Sequence, residues 1–450
     1  MMLRINLLLF TVFLLGTSLK GQTLQRKGTF GAAIEASPEG KGIIIRSVFE
    51  GTTASQMDVQ EGDVIIEVNG THYSEVASLV DAIDNWRKGD QLKMELLRDG
   101  SNLKKKSRVV GKPFETSAHG EVIYGEVNFD GGKLRSILEI PRGIENPPVL
   151  AFLPGIGCGS LDYPYRNNTP VKLLVESLVK SGIAVYRVEK PGMGDSEGTQ
   201  DCMEMTFNYE VDAFDAAIKT LKATPGVDHD HIFLYGHSLG VVSAPIIASR
   251  HSVAGIIAWG GISSTWYEYS LKLLRDQRVL RGVDYVEIDA DFRVRQPFNY
   301  DFLVRKMTPD QLAENPSYTQ LVEDQFQNDA WHGIHHYSYF HDLAEVNIIS
   351  AYKEANCPVF ALAGEHDIHT VDTRWAEEIA IAVNHYRPGD GSYAIIPKTT
   401  HHYHTVPSIP EYFQLRDAGE MNLEYMAEHF NQEVPNQVQE WIKAQIAKEG

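Results

Sequence analysis

Cysteine is scarce in this chain, with only Cys158, Cys202 and Cys357 in 450 residues. So few exclude a small disulfide-stapled scaffold, and the length calls for two or three domains with apolar cores of their own. In an exported protein one pair can oxidise and leave one thiol over, and the cysteines alone leave the pairing open. Positive charge is also short: 41 Lys and Arg face 60 Asp and Glu, for a formal charge of −19. That balance argues against nucleic acid and against anionic membranes as partners. Past the first residues no segment is apolar enough to span a bilayer. The histidine groups His332, His335, His336, His341 and His401, His402, His404 lack a carboxylate at zincin-type spacing. No metal site and no cofactor are therefore expected.

What is present begins with a targeting layout. Arg4 precedes an apolar run from Ile5 to Leu15, followed by Gly16, Thr17 and Ser18. Residues 1–21 read as a secretory signal peptide cut between Ser18 and Gln22, which sends the protein to the periplasm or the medium. No Cys lies near the junction, so a lipoprotein anchor is not expected.

Residues 27–111 have the texture of a small module of short strands and turns. Ile43 to Ile45 and Asp63 to Val68 are β-branched runs, the second closed by Asn69-Gly70, a tight-turn signal. Ser74 to Trp86 carries apolar residues at helical spacing, and Leu92 to Leu97 returns to strand before Asp99-Gly100. The stretch Gly51-Thr-Thr-Ala-Ser-Gln-Met-Asp-Val-Gln-Glu-Gly-Asp-Val-Ile-Ile-Glu-Val-Asn-Gly70 resembles bacterial PDZ domains. The resemblance implies a loop, here Gly28, Thr29, Phe30 and Gly31, whose backbone N–H groups receive a peptide C-terminus. It also implies a groove between the strand from Gly31 and the helix from Ser74. A PDZ fold kept only as a spacer is the competing reading.

Lys112 to Glu121 reads as a linker, and residues 115–450 as a second domain. Val122 to Phe129 and Leu134 to Ile140 form a hairpin around Asp130-Gly131-Gly132; strands and helices then alternate. That alternation makes the fold class α/β, a doubly wound and mainly parallel sheet covered on both faces. At its centre stands Gly236-His237-Ser238-Leu239-Gly240 between an apolar run and a small-residue helix. A sharp strand-to-helix turn there would hold Ser238 strained and exposed. A nucleophilic serine needs a base and an orienting acid at strand ends. Gly364-Glu365-His366-Asp367 follows the run Val359 to Ala363, and His401, His402 and His404 follow Tyr393 to Ile396.

The order Ser, acid, His resembles the α/β-hydrolase superfamily over almost the whole module. The resemblance implies Ser238 as nucleophile, Asp367 as acid with Glu365 the alternative, and His401 as base with His402 and His404 as alternatives. It implies an oxyanion hole from the N–H groups of Leu239 and Ile156, or Gly157 in place of Ile156. Glu189 to Gly198 resembles the superfamily's loop that supports the oxyanion loop, with its charges structural. Since Cys158 and Cys202 each follow one of these two loops, a disulfide between them would brace the site. Residues 262–356 interrupt the alternation and read as a helical cap, its aromatics forming either a core of their own or a substrate pocket. The expected partner is a small-molecule acyl substrate, with carboxylic ester hydrolysis favoured over peptidase or inert binding roles. The oligomeric state is left open.

Overall fold

The computed structural model describes residues 23–38, 40 and 42–449. The expected signal segment lies outside the described residues. No helix among them is long and apolar enough to cross a membrane.

The N-terminal unit is an antiparallel sheet in the order Ala32–Ala36, Ile43–Val48, Val64–Val68, Gln91–Arg98, Ser101–Arg108. Asp99 and Gly100 take positive φ of 49° and 77°, the geometry of the two-residue turn that joins the last two strands. The helix Val76–Asp84 buries Leu79 against this sheet, and Phe30 meets Trp86 edge-on at 5.9 Å. The strand Ser101–Arg108 was not foreseen. It carries Lys104, Lys105 and Lys106 and exposes every other residue or more, a charged edge that blocks further strand pairing.

The segment expected to be a linker is built into both units. Gly28 pairs with Gly111 and Thr29 with Val110, and Lys112 N–H donates to the Lys27 carbonyl at 2.8 Å. The Arg26 guanidinium is buried at this junction. It donates to the carbonyls of Lys112 and Pro113 and to the carboxylates of Asp162 and Asp195, at 2.5 and 2.7 Å. The Phe114 and Tyr124 rings, 4.6 Å apart and edge-on to each other, both pack against it. Glu115 follows, gripped by Arg187 through both carboxylate oxygens (2.9 and 3.0 Å) and by Lys172 at 3.0 Å. These charges are tolerated in the interior because each is paired and hydrogen-bonded.

The second unit is an eight-stranded sheet. Its strands are β1 (Gly120–Phe129), β2 (Gly132–Pro141), β3 (Pro148–Leu153), β4 (Ala184–Val188), β5 (Asp228–His237), β6 (Gly255–Trp259), β7 (Val359–Gly364) and β8 (Gly391–Ile396), in the order β8-β7-β6-β5-β3-β4-β2-β1. Pairing is antiparallel among β1, β2 and β4 and parallel from β4 to β8. The central strands are apolar on both faces because a core lies on each side, one around Leu234 and Phe214, the other around Phe233 and Leu178.

The insertion between β6 and β7 is helical, with one addition. Three two-residue strands, Phe326–Gln327, Ala330–Trp331 and His335–His336, form a small sheet within it. Phe298, Phe302 and Tyr339 are buried in the same core as the helices under the main sheet.

Candidate active site

β5 ends at His237, and the helix Gly240–Arg250 starts three residues later. Ser238 fills the turn with φ of 55°, a left-handed conformation that only strong local constraint holds in a non-glycine residue. Two glycines permit it. A Cβ on Gly236 would lie 2.4 Å from the Gly240 carbonyl oxygen, and one on Gly240 would lie 2.2 Å from the Leu153 carbonyl oxygen. The Ser238 N–H donates to the Trp259 carbonyl at 2.9 Å, which ties the turn to the end of β6. Ser238 Oγ makes no hydrogen bond among the described residues, so its proton is uncommitted.

Asp367 and His401 meet beyond the ends of β7 and β8. His401 Nδ1 lies 2.7 Å from Asp367 Oδ2, and both side chains are buried. Asp367 Oδ1 accepts the N–H groups of His369 and Thr370 at 2.8 and 3.0 Å. Burial alone would raise the Asp367 pKa, but the His401 imidazole and these donors hold it well below the carboxylate range. An ionised Asp367 requires the proton on Nδ1 of His401, which leaves Nε2 with a lone pair. The His401 carbonyl is held by the Trp259 indole N–H at 2.9 Å and lies 3.3 Å from His237 Nε2. Burial, followed by the nearby His401, lowers His237 to about 3, so it is neutral and can donate there.

Gly260 clears the space for this pair, a role with no counterpart among the expected site residues. Its φ is 59°, and an added Cβ would stand 3.0 Å from His401 Nδ1 and 3.1 Å from Asp367 Oδ2. The alternatives are placed elsewhere. Glu365 is exposed and accepts the Lys398 N–H at 2.8 Å. His404 bonds Thr400. The His402 ring packs against His401 without reaching Asp367.

The loop after β3 comes up against the serine. A Cβ on Gly155 would lie 2.9 Å from the Ser238 Cβ. Buried Lys190 donates to the Gly155 carbonyl at 2.9 Å and pairs with Glu210 at 2.8 Å. The N–H groups of Ile156 and Leu239 have no partner among the described residues. Gly157, the alternative to Ile156, donates to His335 Nε2 at 3.3 Å.

His335, which the sequence raised only within a histidine group weighed for metal, supports the site. Its Nδ1 lies 2.8 Å from the Cys202 carbonyl and donates to it, and its ring stacks on Tyr339 at 4.1 Å. The imidazole thereby bridges the two loops that the Cys158–Cys202 disulfide also joins. Cys158, Cys202 and His335 are the one group with metal-ligand spacing among the described residues, and its two sulfurs are bonded to each other. Cys357 is a buried free thiol, its pKa pushed up to about 12 by burial. Replacing both Cys158 and Cys202 by Ala, which opens a link across 44 residues, should lower stability by about 2–4 kcal/mol. Urea unfolding at one pH checks this.

Glu189 braces the same loop from below, accepting from Ser160 Oγ at 2.5 Å and from the Leu161 N–H at 3.0 Å. Burial, opposed by these bonds, moves it from 4.5 to about 7. A raised folded pKa means its contribution is fully present below about 4.5 and is lost as pH rises through about 7. Glu189→Gln can still accept from the Leu161 N–H and can donate to Ser160 Oγ, without the charge. The variant should gain on wild type by about 3 kcal/mol between mildly acidic and mildly alkaline pH. A stability difference that does not change with pH would contradict it.

Residues 150–409 match the model of the alpha/beta hydrolase family. The chain belongs to that family. It is a hydrolase, and a PDZ domain match over residues 15–107 stands at its N-terminal side. Among solved structures, the hydrolase is similar to Est1E from Butyrivibrio proteoclasticus bound to ferulic acid. That likeness has 18% identity over 72% of this chain and 99% of the other, with a TM-score of 0.45. It is also similar to a hyperthermophilic esterase from the archaeon Pyrobaculum calidifontis, at 17% identity over 74% and 85% of the two chains, with a TM-score of 0.42. No curated protein matches it significantly.

In the PDZ unit, Ala32–Ala36 is an edge strand, and the helix Val76–Asp84 is in contact with it. Of the four loop residues, Gly28 donates its N–H to the Trp86 carbonyl at 2.8 Å. That bond removes Gly28 from any carboxylate-binding set, a correction to the expectation. The Phe30 side chain is buried beneath the loop, and Gly31 has φ of 73°.

Proposed function

We propose that the protein is an exported serine hydrolase that cleaves carboxylic esters through an acyl-enzyme. The observation that carries this reading is the buried His401–Asp367 pair at 2.7 Å, with Ser238 in left-handed conformation next to His237, whose ring lies 4.9 Å from that of His401. In the proposed reaction Nε2 of His401 takes the Ser238 proton while Oγ attacks the ester carbonyl. The N–H groups of Leu239 and Ile156 stabilise the oxyanion. His401 then gives the proton to the departing alcohol, and a water repeats the sequence to release the acid. Asp367 orients the ring and offsets the imidazolium charge. No cofactor takes part.

A small-molecule acyl substrate suits the cavity that Ile156 and the insertion line. A peptide C-terminus is the proposed ligand of the PDZ groove, added as a strand beside Ala32–Ala36. A fluorophosphonate probe tests the reaction directly. One adduct per chain is expected, located by peptide mass on Ser238. Labelling elsewhere, or none in folded protein, would remove the serine mechanism.

A further inference from the structure

The two backbone donors proposed for the oxyanion are held in different ways. The Leu239 N–H belongs to the residue that caps the helix Gly240–Arg250, so its direction follows from the helix. The Ile156 N–H lies in an irregular loop, and a group outside the loop has to aim it.

Ile156 shares one peptide unit with Gly155, and that unit is planar and trans. Its carbonyl and its N–H therefore point in opposite directions, and a group that fixes the Gly155 carbonyl also fixes the Ile156 N–H. Lys190 Nζ takes that carbonyl at 2.9 Å, from a side chain 1% exposed. Because the carbonyl points at a buried ammonium, the N–H points the other way, out of the packed interior. The same peptide unit stands against the nucleophile. A Cβ on Gly155 would lie 2.9 Å from Ser238 Cβ and 3.4 Å from its Oγ.

The other braces of this loop act further along it. His335 accepts from Gly157, the disulfide holds Cys158, and Glu189 accepts from Ser160 and Leu161. Lys190 is itself anchored. Glu210, fully buried, pairs with it at 2.8 Å, and the Tyr339 hydroxyl of the insertion donates to the same carboxylate oxygen at 3.1 Å. A charged donor on the carbonyl also polarises the amide, which makes its N–H a better donor to developing negative charge.

We infer that Lys190 is a positioning residue for the oxyanion hole: its ammonium, anchored by Glu210, fixes the Gly155 carbonyl and so aims the Ile156 N–H at the oxygen of the carbonyl that Ser238 attacks. This rests on the serine esterase reading above. It makes the Lys190 charge act on the reaction as well as on the packing of the loop.

Lys190→Met alone leaves Glu210 a buried carboxylate without its cation. The double variant Lys190→Met with Glu210→Gln is therefore measured beside it, since the second change keeps an acceptor for the Tyr339 hydroxyl. Active sites are counted by the end point of fluorophosphonate labelling. In the double variant kcat per site on an aryl acetate should fall about 10- to 100-fold, approaching the loss of an oxyanion donor, with KM within about twofold of wild type. An alkyl trifluoromethyl ketone, whose adduct with Ser238 puts an oxyanion in the same hole, should bind more weakly by about the factor lost in kcat/KM. A purely structural lysine would lower only the denaturation midpoint or the number of labelled sites. Unchanged kcat per site, or a lower kcat with unchanged ketone affinity, would overturn the inference alone. Aryl acetate turnover that survives in Ser238→Ala would overturn the esterase reading and this inference together.

Discussion

Ser238→Ala is expected to fold as wild type does and to lower kcat on an activated aryl ester by roughly 10⁴- to 10⁶-fold. The hydroxyl faces no hydrogen-bond partner that its loss would strand, so stability should barely move. Asp367→Asn should cost on the order of 10⁴-fold, because a neutral amide no longer fixes the proton on Nδ1 of His401. His401→Ala combined with Ser238→Ala should be little worse than either change alone, since the groups act as a unit. His402→Ala should remain active, its ring making no bond to Asp367. An inactive His402→Ala beside an active His401→Ala would move the base by one residue.

Glu115→Ala should produce the largest loss of stability among single substitutions at the domain junction, about 3–5 kcal/mol. The change removes the carboxylate that satisfies both Arg187 and Lys172, each 1% exposed or less. Glu139 alone then faces two buried cations, at 3.0 Å from Lys172 and 3.9 Å from Arg187. The pH dependence should point the same way. Burial would raise Glu115, but Arg187 and Lys172 outweigh it and bring it from 4.5 down to about 2. A depressed folded pKa contributes stability above about 4.5 that is lost as pH falls toward about 2. Denaturant midpoints measured from neutral to acid pH should therefore converge for wild type and variant. Parallel curves would mean that the cluster is not held by this charge.

How much of this was legible beforehand depended on the reach of each interaction. The turn at Ser238 was readable because its cause is local: two glycines at fixed offsets between an apolar strand and a small-residue helix. Asp367 and the histidine run were readable as polar residues directly after apolar runs, although three histidines in four positions left the base undecided. Gly260 looks like any glycine after a strand, and only the fold shows what a side chain there would strike. His335 stands 178 residues from the Gly157 amide it accepts. No periodicity or spacing links such positions. Lys112 to Glu121 read as a linker for the same reason: Glu115 is surface-like in sequence, and its partners Arg187 and Lys172, like the Arg26 that binds the Lys112 and Pro113 carbonyls, come from distant stretches. The strand Ser101–Arg108 was hidden by its lysines, which suit an edge but not the apolar alternation by which strands are recognised.

The buried arginine at the junction bears on how such a protein could be recombined. A module hung on a free tether can be exchanged by cutting the tether. Here the cut would fall between Arg26, which precedes the PDZ sheet, and Phe114, which follows it, while their partners Asp162 and Asp195 belong to the catalytic body. A graft that brings a foreign PDZ domain with its own flanks would leave Asp162 without its cation and Asp195 with Arg135 alone. Transplantable pieces are therefore defined by the arginine and the two rings packed against it, with residues 23–26 and 112–115 staying with the recipient. Chimeras built with and without those flanks should differ in soluble yield before any difference in catalysis is measured.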